Sequence, residues 1–183
     1  MIIAPQSFAV RNLQYTIRPA IEKDAKALSA LRLKIDGETE NLDREKGEAF
    51  IDEAAFQQII KIDTEKSNHL FLVAEVENQV VGFSRCEGND LKRFAHKVEF
   101  GVCVLQKYWG YKIGTNLLQR STEWADGNAV KKMTLHVLET NAKAIELYQN
   151  FGFEIEGILK QDKKLSDGQY YHTVVMGRIK GSI

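Results

Sequence analysis

Thr140-Asn141-Ala142-Lys143-Ala144-Ile145-Glu146-Leu147-Tyr148-Gln149-Asn150-Phe151-Gly152-Phe153 is the stretch on which the reading of this chain turns. Asn141 is a favoured helix N-cap, because its side-chain oxygen can accept from a first-turn N–H. Ile145, Leu147, Tyr148 and Phe151 place apolar weight along the helix that follows. Gly152 suits the position just past a helix end, where a left-handed backbone is wanted and a Cβ is a burden. Phe153 to Leu159 then resumes as a strand.

Working outward, the preceding strand is Met133 to Leu138. Before it, Ile113, Leu117, Leu118, Trp124 and Ala125 share one helical face, and Gly127-Asn128 ends that helix. Val98 to Leu105 is the strand ahead of that helix. A loop spans Gly88 to Phe94. Leu70 to Val76 and Val80 to Cys86 read as a hairpin across Glu77-Asn78-Gln79. Ala25, Leu28, Leu31 and Ile35 predict a first helix that stops at Gly37, and Phe56, Ile59 and Ile60 predict a second. Tyr15 to Arg18 is the first strand, after a short lead-in at residues 1–13. Tyr170 to Met176 closes the chain, joined to Phe153–Leu159 through Asp167-Gly168. The order β, α, α, three strands, α, β, α, β, β predicts an α/β mixed sheet of about seven mostly antiparallel strands with helices on both faces. With no repeat or composition break, residues 14–183 read as a single domain.

Composition narrows the function classes. Lys plus Arg number 25 and so do Asp plus Glu. A domain built to grip nucleic acid is usually strongly basic, so no nucleic-acid partner is expected. No apolar run is long enough for a membrane span, so no membrane partner is expected either. Met1 to Val10 lacks the basic and apolar regions of a signal peptide, and the expected location is cytoplasmic. Cys86 and Cys103 lie in apolar runs without CxxC spacing, and read as two reduced, buried thiols. His69, His96, His136 and His172 are scattered, and no metal site is expected.

The element order and two motifs together resemble the GNAT superfamily of acetyl-CoA-dependent N-acetyltransferases, over about Tyr15 to Ile179. The Asn141–Phe153 stretch is similar to the family's N-x-x-A-x-x-L-Y-x-x-x-G-F pattern without a mismatch. The second motif is Val102-Cys103-Val104 followed by Gln106-Lys107-Tyr108-Trp109-Gly110-Tyr111-Lys112-Ile113-Gly114-Thr115. Against the family's Q/R-x-x-G-x-G/A, Trp109 stands in the first place and Lys112 at the middle glycine, while Gly114 matches and Gly110 lies just before. Glu156-Gly157 and Asp167-Gly168-Gln169-Tyr170 are similar to the tail of small bacterial amine and amino-acid acetyltransferases.

The resemblance implies acetyl-CoA as cosubstrate, and the residues give a physical reason for where it sits. The helix after Gly110 has no Ser, Thr, Asp or Asn at its start, so its first N–H groups lack a side-chain acceptor. A pyrophosphate supplies one, and the helix dipole favours its charge. Lys107 and Lys112 add positive charge at that same end. Gly110, Lys112, Ile113, Gly114 and Thr115 form the expected cradle. By resemblance, Val102 and Val104 offer backbone groups to the pantetheine arm, and Asn141 and Lys143 lie near the middle and phosphate portions of the cofactor.

Acetyl transfer to an amine requires that an ammonium lose a proton, that a developing oxyanion find fixed donors, and that a thiolate leave and be protonated. Tyr148, at the family's tyrosine position, is the candidate acid for the leaving thiolate. Glu99 is the candidate base, on the face it shares with Gly101 and Cys103, opposite Val98, Phe100, Val102 and Val104. Backbone N–H groups of the strand through Leu105 are candidate oxyanion donors. Arg93 and His96 resemble positions near the acceptor side in related bacterial sequences, and by composition read equally as part of a surface loop. No Gly-x-Ser-x-Gly elbow is present, which favours direct attack in a ternary complex over an acyl-enzyme. The rival reading is a catalytically degenerate acetyl-CoA-binding sensor or interaction module, for which Trp109 and Lys112 speak.

Asp36 to Glu53 holds eight carboxylates against Arg44 and Lys46, whereas Lys92 to Arg120 holds six cations against Glu99 alone. Helices in the first position line the acceptor groove in the family, so the acidic stretch predicts a cationic amine acceptor, and the basic stretch falls where an anionic cofactor docks. Related enzymes are often homodimers, and a homodimer is the expected assembly.

Overall fold

The computed structural model describes residues 3–181. Its elements are β1 (Gln6–Val10), β2 (Leu13–Pro19), α1 (Ala25–Asp36), α2 (Glu53–Glu65), β3 (Leu70–Val76), β4 (Gln79–Gly88), β5 (Lys97–Val104), α3 (Ile113–Gly127), β6 (Lys132–Leu138), α4 (Ala142–Asn150), β7 (Glu154–Lys164) and β8 (Tyr170–Ile179). The eight strands form one sheet in the order β1-β2-β3-β4-β5-β6-β8-β7. Only β5 and β6 run parallel. The mixed α/β sheet expected from the sequence is there, with one strand more than the seven counted.

The additional strand is β1. It lies within the stretch 1–13 taken as a lead-in, of which Met1 and Ile2 fall outside the described residues. Its side chains are exposed or only half-buried, so the sequence carries no buried alternation to announce it. Its turn is Arg11-Asn12, with Arg11 at φ 53° and no glycine to mark it. Strand β7 also runs past the expected Leu159, through two register shifts.

The cores on the two faces of the sheet follow from strand alternation. In β4, the Ser84 hydroxyl lies 3.2 Å from that of Ser121 in α3, while Arg85 reaches Asp63 of α2. Even-numbered residues of β4 from Gly82 on therefore face α3, and odd-numbered ones face α1 and α2. Register carries this to β5, where Ser84 pairs with Val102 and Arg85 with Gly101. Phe100 meets Tyr148 of α4 edge-on at 6.4 Å, so α4 shares the α3 face. Leu117, Leu118, Trp124 and Ala125 fill that layer, and Phe56, Ile60, Leu28 and Ile35 fill the other.

Helix α4 has the ends its sequence predicts. The Asn141 side chain accepts from Ala144 N–H at 3.3 Å. At the other end Phe153 N–H donates to Tyr148 O at 3.0 Å and Gly152 N–H to Gln149 O at 2.9 Å, with Gly152 at φ 81°. This pair of bonds is a Schellman closure, and it fixes the turn into β7.

Candidate active site

Strands β5 and β6 pair only at Lys97, Val98 and Glu99, opposite Lys132, Met133 and Thr134. Beyond these residues the two strands diverge. Leu105 N–H donates to Val81 O at 2.9 Å, which sets the phase of the β4–β5 ladder. In an antiparallel ladder the outward-pointing residues alternate with the paired ones. Glu99, Gly101 and Cys103 therefore bond to β4, and Phe100, Val102 and Val104 turn their N–H and C=O groups into the gap. The two valines lie at a strand edge to which an extended amide chain can add. Of those groups, the Val104 carbonyl is already used: the Trp109 indole N–H donates to it at 2.8 Å.

The parallel strands also deliver the starts of α3 and α4 to the same end of the sheet. A 3-10 turn at Gln106–Tyr108 leads to the loop, in which Gly110 sits at φ 83°. Lys112, the N-cap of α3, lies at φ 59° and ψ 15°. Left-handed backbone costs a non-glycine residue roughly 1–2 kcal/mol. The chain thus keeps a glycine-like conformation at the position where the family pattern has glycine, with a lysine in it. Helix α3 has no side-chain cap, and its first backbone bond runs from Asn116 N–H to Lys112 O at 2.9 Å. The N–H groups of Ile113, Gly114 and Thr115 therefore await an outside acceptor. Lys107 and Lys112 make no ion pair among the described residues, which fits an anion at this loop. Lys143 is exposed on the first turn of α4, and Asn141 is occupied as its cap.

Tyr148 and Glu99 flank the gap from opposite faces of the sheet. The Tyr148 ring packs between Phe100 and Phe153, at 6.4 and 5.8 Å. Burial pushes its phenol up to about 12, so the hydroxyl stays protonated at neutral pH. It makes no hydrogen bond within the described residues. Glu99 is exposed and faces the α1/α2 side, as its alternation predicts. His136 of β6 reaches across to it, with Nδ1 3.5 Å from Glu99 Oε1. Sequence reasoning took His136 as one of four scattered histidines, because its approach to Glu99 depends on a register between distant strands.

The acidic stretch crosses the open end of this site as the connector between α1 and α2, and its carboxylates are tied to the walls. Glu38 accepts from Gln106 N–H at 2.8 Å. Glu40 accepts from Ser166 N–H at 2.9 Å, and bonds from Ser166 hold its carboxyl below the usual carboxylate range. Asp43 pairs with Lys163, and Asp36 with Arg44 at 3.2 Å. Under the connector lies a cleft of about 480 Å³, lined by Asp36, Glu38, Glu40, Leu138, Thr140 and Leu165 among others. The partners are the backbone N–H of Gln106 for Glu38 and the backbone and side chain of Ser166 for Glu40, neutral donors that satisfy the oxygens without cancelling the charge.

Arg93 and His96 are exposed before the start of β5, at the other end of the sheet from the loop, and are not brought to the site. Cys86 is buried in the core, and burial pushes its thiol up to about 12. Cys103 is half-buried, not fully buried as expected, with its thiol likewise pushed up by burial. Among the described residues no group of three or more His, Cys, Asp or Glu stands together as a metal site.

With that geometry in place, known proteins supply the comparison. The model of the Acetyltransferase (GNAT) family matches residues 31–153. The L-amino acid N-acetyltransferase AaaT of Escherichia coli (strain K12) is 33% identical over 110 residues, covering 60% of this chain and 67% of that protein. A GNAT-family acetyltransferase of Streptococcus pneumoniae superposes with a TM-score of 0.87 at 24% identity, covering 91% of this chain and 99% of the other. An acetyltransferase of Salmonella typhimurium, solved with its cofactor acetyl-CoA, superposes with a TM-score of 0.80 at 20% identity, covering 92% and 95%. Acetyl-CoA is accordingly the cosubstrate that the loop's free N–H groups and cations fit, and the chain is an acyltransferase: it belongs to the GNAT acetyltransferase family.

Proposed function

We propose that this chain transfers an acetyl group directly from acetyl-CoA to a primary amine that carries positive charge elsewhere on its body. Acetyl-CoA supplies the activated thioester. Glu99 takes the ammonium proton on the α1/α2 face, and Tyr148 gives a proton to the departing sulfur on the other. The observation that carries this reading is the opening between β5 and β6, with a protonated phenol on one face and an exposed carboxylate on the other. Val102 orients the pantetheine arm, Gly110 to Thr115 with Lys107 and Lys112 hold the phosphates, and Asn141 positions α4 while Lys143 adds charge at its start.

The charge preference rests on the cleft, where neither Glu38 nor Glu40 makes an ion pair among the described residues. The Escherichia coli relative is an L-amino acid acetyltransferase by name, and an amino acid with a basic side chain satisfies both that likeness and the field of the cleft. The test is thiol release from acetyl-CoA across amino acids, polyamines, aminoglycosides and peptide amino ends. Basic amines are expected to give the highest kcat/KM. Higher values for neutral or acidic amines sink the charge preference, and binding without turnover on any amine favours a sensor instead.

Two further parts of the reading concern assembly and location. Strand β7 is a sheet edge with Ile155, Ile158 and Leu159 exposed, which supports pairing of two copies along it. Light scattering that gives a monomer at micromolar concentration ends that proposal. No helix among the described residues is long and apolar enough to cross a membrane. A cytoplasmic location is proposed on the acetyl-CoA requirement and the two free thiols; fractionation tests it.

A further inference from the structure

The hairpin of β1 and β2 reaches the cofactor loop. Tyr15, buried at the start of β2, donates from its hydroxyl to Tyr111 O at 3.1 Å. Asn116 of α3 donates to that hydroxyl at 2.6 Å, and Phe8 of β1 stacks on the Tyr15 ring at 5.4 Å. The hairpin is thereby fixed to the residue beside Gly110. Its turn then carries Arg11 over the loop. The guanidinium lies 5.9 Å from the centre of the Tyr111 ring. Its Nη1 is 3.8 Å from where a Cβ on Gly110 would stand. Arg11 is exposed and forms no ion pair among the described residues.

We propose that Arg11 is a phosphate ligand for acetyl-CoA, supplied by the N-terminal hairpin to the loop at Gly110. The Tyr111 ring lies under the guanidinium, no carboxylate among the described residues takes its N–H groups, and such a fork matches two phosphate oxygens at once. The left-handed turn at Arg11 aims the side chain without a carboxylate to neutralise it. Arg11 adds a cation on the β2 side of a loop that already has Lys107 and Lys112. The assignment rests on acetyl-CoA as the cosubstrate and deepens that site by one residue from a part of the chain outside its two motifs.

The test is calorimetric binding of acetyl-CoA to the full chain as wild type, Arg11→Gln and Arg11→Lys, at two salt concentrations, with the Tm of each ligand-free variant. Arg11→Gln is expected to weaken binding about 5- to 30-fold and to flatten its salt dependence, with an unchanged Tm; Arg11→Lys recovers part of the affinity at low salt. A loss that disappears with 3′-dephospho-CoA assigns the contact to the 3′-phosphate, and a loss that persists assigns it to the pyrophosphate. Affinities within twofold of wild type overturn the proposal. So does an equal loss in both variants with unaltered salt dependence, which marks a packing role. Absence of binding by the wild type contradicts the cosubstrate itself, a separate failure.

Discussion

The indole N–H of Trp109 donates to the carbonyl of Val104 at 2.8 Å, tying the cofactor loop back to the last residue of β5. Trp109 is 47% exposed, so its role is to fasten the loop and not to fill the core. Trp109→Phe keeps the ring and removes the donor. A single hydrogen bond of this kind contributes about 0.5–1.5 kcal/mol. The expected Tm loss is at most about 6 °C for a chain of this size. Hydrogen exchange should show faster exchange confined to the loop from Gln106 to Lys112, and a several-fold higher acetyl-CoA Kd. Unchanged protection there removes the fastening role.

Tyr148→Phe is expected to lower kcat by about 10² to 10⁴, the usual range for a general acid, and to leave the acetyl-CoA Kd unchanged. The same phenol affects stability at alkaline pH. Its folded-state value is raised from 10.0 to about 12, so the native chain holds the proton more tightly than the unfolded one. This stabilisation is full below pH 10 and is lost as pH rises through about 12. At about 1.4 kcal/mol per unit its ceiling is roughly 3 kcal/mol. Urea unfolding of wild type and variant should therefore keep a constant offset below pH 10, and wild type should lose stability relative to the variant as pH rises from 10 towards 12; an offset that stays constant through that range contradicts the burial of a neutral phenol.

Asp63 is the hub of a buried network on the α2 face. Its side chain is 1% exposed, and it accepts from Arg85 Nε at 2.6 Å and faces His69 Nδ1 at 2.7 Å. Removing one member of a buried pair leaves the other uncompensated and costs about 3–5 kcal/mol. Asp63→Ala should lower the unfolding free energy by that amount, read from a lower urea midpoint at unchanged slope. A cost below about 1 kcal/mol would mean that water replaces the carboxylate freely.

Glu38 belongs to the connector and touches the backbone of Gln106. Glu38→Ala leaves that N–H unpaired and takes one charge from the cleft. The expected result is a kcat/KM for basic amines about tenfold lower, with a smaller effect on neutral amines. Equal losses across the acceptor panel would separate the loop contact from charge recognition.

Much of this was legible in the sequence where the determining forces are local. Asn141 and Gly152 each act within a few residues, so both ends of α4 were readable. Alternation put Glu99 on the correct face without knowledge of its neighbours. Long-range partners were not readable. The charge of residues 36–53 is visible in the sequence, but Gln106, Ser166 and Lys163, which its carboxylates engage, lie far along the chain. Lys112 gives no sign of its left-handed backbone, because no side-chain property of lysine demands it. Strand β1 escaped for another reason: its inward residues Phe8 and Val10 are only half-buried, and its turn lacks glycine.

The connector between α1 and α2 has a thermodynamic consequence. It is fastened at Gln106 to the donor loop, and at Ser166 and Lys163 to the β7–β8 hairpin beside the cleft. With acetyl-CoA at the loop and the amine in the cleft, as proposed, this one segment borders both ligands, and any coupling that it carries between them is reciprocal. Whatever factor bound acetyl-CoA adds to the affinity for the amine, bound amine adds to the affinity for acetyl-CoA.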